Sequence, residues 1–306
     1  KYILNIFKKR IFVNLIFLKK MFTENQLSEI KKLISPEKKV VIITHYNPDG
    51  DAIGSALGLK HFLNNMGVEP TVLAPNDFPK FLKWMPDAKK VVIAEYKRKT
   101  AGEAIYKADV IFCLDFNAHN RIGILGDWLM KSWAKKILID HHQQPEDFDY
   151  VYSDVTIPAT CQMVYHFIEA LGREDLVDQN VAECLYTGIM TDTGGFRFRS
   201  TSATTHRIVA NLIEKGANPA MITSNTWDTN SVSRLHLLSL ILGRIELVKD
   251  GKVAVLYLKR EELKEFGFEK GDTEGFVNYG LSIAGTKMAA FFMEDLHEDY
   301  IKISFR

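Results

Sequence analysis

Six acidic or imidazole side chains stand out for where they fall, and two more stand beside them. His45, Asp49 and Asp51 lie within seven residues, directly after the apolar run Val40–Thr44. Asp115 ends the apolar run Val110–Leu114, and Asp140, His141 and His142 end the run Lys136–Ile139. Asp192 ends the helical pattern Val181–Met190. So many carboxylates gathered without compensation repel one another, and some protonate. Divalent cations resolve the conflict. Carboxylates with some imidazole and no thiolate suit hard or borderline ions, Mn²⁺ ahead of Zn²⁺, with Mg²⁺ or Co²⁺ as alternatives. Two such ions about 3.5–4 Å apart clamp a phosphate and activate a water for in-line attack. They need a shared carboxylate, and Asp115, central among these positions, is the candidate.

Each residue also has an ordinary reading. Asp51 could cap a helix that begins at Ala52. The Asn-Pro-Asp-Gly stretch ending at Gly50 is good turn chemistry. His61, His119, His166, His206, His236 and His297 read as polar loop residues. The ordinary readings fail together, because three strand ends coincide with acidic or histidine groups.

The elements that must position these groups alternate. Thr23 with Gln26 three residues on predicts a capped helix ending near Ser35. Val40–Thr44 predicts a strand, and Ala52, Ala56, Leu59, Phe62 and Leu63 predict a helix that stops at Gly67. Thr71–Ala74, Val91–Ala94, Val110–Leu114 and Lys136–Ile139 predict further strands. Helices are expected around Gly102–Lys107, up to Lys136, and over Ala159–Leu171, Val181–Met190 and Ser202–Lys215, with a loop running through Tyr152. This alternation predicts an α/β fold, a mostly parallel open sheet with helices on both faces. Carboxyl ends of parallel strands share one edge, so the acidic groups converge on one crevice. Gly50 and the Pro48 turn read as the backbone freedom that divides His45 and Asp49 from Asp51. The polar stretch 223–234 loses the pattern and reads as a linker. Beyond it, a helix at Leu235–Leu242, one at Glu274–Ser282 and four strands predict a smaller α+β domain over 235–306, with a hairpin turn at Asp250-Gly251. The catalytic domain is then 21–222.

Bulk composition narrows the partners. The 306 residues are 46% hydrophobic and 25% charged, with net charge +1, which does not suggest a general nucleic-acid coat, and no long duplex partner is expected. Residues 1–20 hold six basic groups and no acidic ones, so the remainder is mildly acidic. The apolar stretch Ile11–Leu18 is too short to span a bilayer. Met21 reads as the natural start and 1–20 as an upstream extension, with a membrane-surface helix as the alternative. No stable membrane association is expected, and a cytoplasmic location is. Cys113, Cys161 and Cys184 are widely spaced in apolar contexts and read as reduced and buried.

Four motifs in order carry a family resemblance. His45-Tyr-Asn-Pro-Asp-Gly-Asp51, Asp115, Asp140-His-His142 and Thr191-Asp-Thr-Gly194 resemble the successive motifs of the DHH phosphoesterase superfamily, over about residues 38–220. The run from Thr191 to Phe198 most resembles the branch of nanoRNases and 3′-phosphoadenosine 5′-phosphate (pAp) phosphatases. The resemblance implies one Mn²⁺ on His45, Asp49 and Asp115, and a second on Asp51, Asp115, His141 and Asp192. It implies that Asp140 orients a histidine and that His142 faces the scissile phosphate. It implies hydrolysis of short oligoribonucleotides to mononucleotides and of pAp to AMP. Arg121, Arg197 and Arg199 are candidate phosphate contacts. A homodimer stays open. An inorganic pyrophosphatase, a cyclic- or linear-dinucleotide phosphodiesterase, and a nucleotide-binding regulator without turnover are the rivals. The family's DHH-associated C-terminal domain carries a glycine-rich, histidine-containing loop that grips substrate. No such loop occurs up to Arg306, so the protein is expected to continue beyond it.

Overall fold

The computed structural model describes residues 22–269 and 271–306, and the chain divides into two units between Thr226 and Trp227. The expectations about residues 1–20 lie outside the described residues. In the first unit Thr23 caps α1 (Glu24–Leu33) in a reciprocal box with Gln26. There follow β1 (Val40–Ile43), α2 (Gly50–Asn65), β2 (Thr71–Ala74), β3 (Val92–Ile93), α3 (Arg98–Lys107) and β4 (Val110–Leu114). Then come α4 (Ile124–Lys131), β5 (Lys135–Asp140), β6 (Tyr150–Ser153), α5 (Thr160–Leu171), α6 (Gln179–Asp192), α7 (Ala203–Glu214) and α8 (Pro219–Trp227).

All six strands pair in parallel, in the order β3-β2-β1-β4-β5-β6. Strand residues alternate between two cores, as a pleat requires. Val40, Ile42, Phe112 and Ile139 pack with α2, α5 and α6. Val41, Ile43, Ile111, Cys113 and Leu138 pack with α3 and α4. Burial on both faces explains why these strands read as continuous apolar runs. The direction of winding reverses between β1 and β4, which opens a crevice at their carboxyl ends.

Four local expectations are corrected. The loop through Tyr152 is instead the sixth strand, β6, paired with β5 from Tyr150 to Ser153. Tyr150 and Tyr152 are buried and Val151 is exposed, an alternation that is inverted in polarity, because the hydroxyl-bearing tyrosines face in and the valine faces out. The Tyr150 hydroxyl donates to Glu29 at 2.8 Å, which ties this edge to α1. The helix expected to reach Lys136 stops at Lys131, and Lys135 and Lys136 open β5. The stretch 223–234, expected to lack a pattern, is helical over most of its length, and the two units part within it. Asn218 accepts the Met221 amide and Pro219 is the first residue of α8, a helix start built from turn-forming residues. Finally, His61, His166, His206 and His236 lie on helices, and the first two are buried.

The second unit contains α9 (Val232–Gly243), β7 (Glu246–Val248), β8 (Val253–Leu258), α10 (Arg260–Glu265), α11 (Phe276–Leu281), β9 (Met288–Glu294) and β10 (Ile301–Phe305). Its sheet runs β10-β9-β8-β7, with β8 and β9 parallel and both outer pairs antiparallel. Leu237, Ile241, Leu256, Phe276 and Phe291 form its own core. No helix among the described residues is long and apolar enough to cross a membrane. The three cysteines are buried and free.

Candidate metal centre

The carboxyl ends of β1, β4 and β5 deliver His45, Asp115 and the Asp140–His142 group to one edge of the sheet. The turn after β1 ends at Asp49, which caps α2: its Oδ1 accepts the amides of Asp51 and Ala52 at 3.0 and 3.1 Å. The capping role open to Asp51 therefore falls to Asp49, and Asp51 sits buried in the first turn of α2. Asp192 closes α6 and reaches the same edge.

Three overlapping clusters result, each with ligand atoms within 4.8 Å of one another: His45, Asp49 and Asp115; Asp51, His141 and Asp192; and Asp115, His141 and His142. Asp115 also faces the second group. Its Oδ2 lies 3.5 Å from His45 Nε2, and its Oδ1 lies 3.5 Å from His141 Nε2. His141 Nε2 is 3.5 Å from Asp192 and 3.9 Å from Asp51. The ring orientations are set from behind. His45 Nδ1 meets the carbonyl of Tyr46 at 2.9 Å, and His141 Nδ1 meets that of Ile157 at 3.3 Å. A carbonyl accepts, so Nδ1 carries the proton and Nε2 is turned inward in both rings. His142 is oriented by its neighbour: Nδ1 lies 2.7 Å from Asp140 Oδ1.

Asp51 is held by a helix the sequence did not connect to it. The first amides of α5 point at it, Thr160 N–H donating to Oδ2 at 2.6 Å and Cys161 N–H to Oδ1 at 2.8 Å. These are orphan donors of a helix start that has no side-chain cap of its own, and the positive helix end favours the carboxylate. Gly188 on α6 makes room, since a Cβ there would stand 2.9 Å from Asp51 Oδ1. A glycine within the apolar run of α6 was the available signal for this close approach.

The protein atoms alone leave the site short of positive charge. Burial opposes charge on His45, yet Asp115 and Asp49 raise it well above 6.5. His141 is likewise desolvated, but Asp115, Asp51 and Asp192 push it up to about 10. Burial, with Asp115 and Asp192 adding repulsion, raises Asp51 well above the usual carboxylate range. Burial raises Asp192 to about 7. Asp115 moves the other way: burial opposes its ionisation, but His141 and His45 hold it well below that range. Burial and mutual repulsion draw protons onto Asp51 and Asp192, and the acidic neighbours draw them onto both histidines; together with Asp49 and Asp115 these groups form an oxygen-rich donor set suited to divalent cations. The three arginines stay outside the cluster. Arg121, Arg197 and Arg199 are exposed, Arg197 Nε donates to the Gly194 carbonyl at 2.8 Å, and the Arg121 carbonyl accepts the Tyr46 amide at 2.7 Å.

This geometry has relatives. The DHH family, N-terminal domain, matches residues 39–189. The chain is 29% identical over 282 residues to the bifunctional oligoribonuclease and PAP phosphatase NrnA of Thermus thermophilus, covering 92% of this chain and 79% of that protein. It is 24% identical over 281 residues to the Bacillus subtilis protein of the same name, covering 91% and 84%. A crystal structure of an exopolyphosphatase-related protein from Bacteroides fragilis superposes with a TM-score of 0.89 at 40% identity, covering 93% of this chain and 83% of that one.

Proposed function

The chain belongs to the DHH family, and from that premise we propose a metal-dependent phosphoesterase that hydrolyses short oligoribonucleotides to mononucleotides and pAp to AMP. The observation that carries the chemistry is Asp115, with one oxygen turned to His45 and the other to His141. The names of the Thermus and Bacillus relatives support the substrates. His45, Asp49 and Asp115 would hold one cation, Mn²⁺ first and Mg²⁺ or Co²⁺ next. Asp51, Asp115, His141 and Asp192 would hold the other. When bound, such a pair polarises the phosphate and lowers the pKa of an attacking water.

The side chains do the rest. Asp140 is fully buried and fixes His142 through Nδ1, which leaves Nε2 to meet the phosphate. From there His142 can donate a hydrogen bond to a phosphoryl oxygen and pass a proton to the leaving ribose oxygen. The buried amides of Thr160 and Cys161 fix the orientation of Asp51 and favour its charged form against the burial that opposes it. Arg121, Arg197 and Arg199 are exposed cations available to the substrate's remaining phosphate charge. The partners in this reading are small nucleotides rather than long duplexes.

The name of the Bacteroides fragilis relative favours a second reading, a phosphoanhydride substrate. One panel separates the two. The protein is assayed with Mn²⁺ on pAp, a diribonucleotide, a cyclic dinucleotide, pyrophosphate and polyphosphate. Turnover of pAp and the dinucleotide is expected. Turnover of pyrophosphate or polyphosphate alone would sink the nucleotide reading. Tight nucleotide binding without any turnover would point to a regulator.

A further inference from the structure

We propose that Thr160 is a positioning residue that keeps the two oxygens of Asp115 divided between the two cation sites, a role that rests on the metal reading above. Thr160 is the first residue of α5 and has no exposed surface. Its hydroxyl donates to Asp115 Oδ1 at 2.8 Å, while its amide donates to Asp51 Oδ2 at 2.6 Å. One residue therefore grips a carboxylate from the end of β4 and another from the start of α2.

The chemistry of Asp115 explains why this grip matters. A carboxylate rotates readily about its last torsion, and a lone cation can draw both oxygens to itself. Sharing requires that each oxygen stay with its own neighbour. Oδ2 faces His45, and Oδ1 faces His141. An ionised carboxylate oxygen has about two lone-pair directions. The Thr160 hydroxyl occupies one on Oδ1 and leaves the other toward His141. Rotation of the carboxylate would break this bond, and the hydroxyl, buried with it, would lose its acceptor. Because the same residue's amide holds Asp51, two of the three carboxylates that face His141, Asp51 and Asp115, are also kept in register with each other.

A merely structural hydroxyl would satisfy itself on Asp115 and contribute to folding alone. The two roles differ in what Thr160→Val and Thr160→Ser do to cation binding. The full chain is stripped with chelator and titrated with MnCl₂ by calorimetry, and melting midpoints in chelator report folding. The wild type is expected to bind two ions. Thr160→Ser should keep both affinities within a few-fold. Thr160→Val should melt cooperatively, yet bind at least one ion about 10–100-fold more weakly. If the valine variant does not fold, Thr160→Ala takes its place with the same expectation. Wild-type affinity for both ions in the hydroxyl-free variant overturns the proposal. So does equal weakening in the serine variant, which would assign the effect to the lost methyl. A wild type that binds no divalent ion overturns the metal reading itself and this inference with it.

Discussion

Asp115 is one residue past the end of β4 and takes a left-handed backbone, φ +64°. Asp tolerates that region better than most residues but at a cost, and such strain concentrates at functional sites. Here it turns the carboxylate back over the sheet edge between His45 and His141. Asp115→Ala removes the shared oxygen pair. A loss of at least about 10²–10³-fold in kcat is expected, alongside loss of two-ion stoichiometry; near-normal turnover would contradict the shared site. Cation binding should also release protons. In the cation-free protein His141 is pushed up to about 10 and His45 shifts in the same direction, so protons held on these rings must leave before the rings become ligands. Titration of Mn²⁺ in buffers of different ionisation enthalpy measures that release, and a buffer-independent heat would count against it. The eight acidic and imidazole residues of the candidate site could be picked out in sequence because each sits within a few residues of a strand or helix end. Thr160 and Gly188 were not, because their importance comes from what packs against them.

Helix α2 shows how an element can be right and its reason wrong. Gly50 reads in sequence as backbone freedom, yet it sits inside the helix just after the Asp49 cap. Its role is steric: a Cβ there would lie 2.3 Å from Thr191 Oγ1. Gly188 is tighter, with a Cβ meeting Cys161 Sγ at 2.1 Å. Gly188→Ala must push α6 away from α2 and α5, at an expected cost of about 1–3 kcal/mol in urea unfolding. Because Asp51 lies against the same spot, cation affinity should fall with it. The far end of α2 offers a pH test. Lys60 and Lys90 bind Asp87 at 2.6 and 2.9 Å. Burial works against its charge, but these lysines hold its carboxyl down at about 2. A depressed carboxylate stabilises the fold above its unfolded value of 3.8 and loses that contribution as pH falls toward about 2. Asp87→Asn should therefore cost up to about 1 kcal/mol near neutrality, after allowance for solvent screening, and flatten the acid limb of stability. An unchanged acid limb would show that the lysines contribute nothing. The same helix pattern logic failed for α8, where Thr, Ser and Asn hide a helix whose buried face is narrow, Ile222 and Thr226.

At the scale of the molecule, two units carry separate cores, and every acidic and histidine residue of the candidate centre lies in the first. Ligation stabilises only what folds around it. Saturating Mn²⁺ at about 100 times its dissociation constant should stabilise the first unit by about 2.7 kcal/mol for each site. Scanning calorimetry would read this as an upward shift of the transition that carries the parallel sheet, reversed by chelator. A scan identical with and without the ion would argue against a cation-bound native state. The alternation of strands and helices was legible because burial on both faces leaves unbroken apolar runs. The strand β6 escaped because an edge strand of four residues carries little pattern.

The sequence by itself determined which groups could do chemistry and that they would share an edge. Strand ends in a parallel sheet point one way, so side chains 97 positions apart, His45 to His142, are brought together by topology alone. Only the tertiary structure decided how the edge is divided. The winding reversal between β1 and β4 sets Asp115 beside His45. The start of α5 meets Asp51 and Asp115 from across the fold. Those relations depend on where helices lie against one another, which is fixed by packing at close range and leaves no periodic trace along the chain.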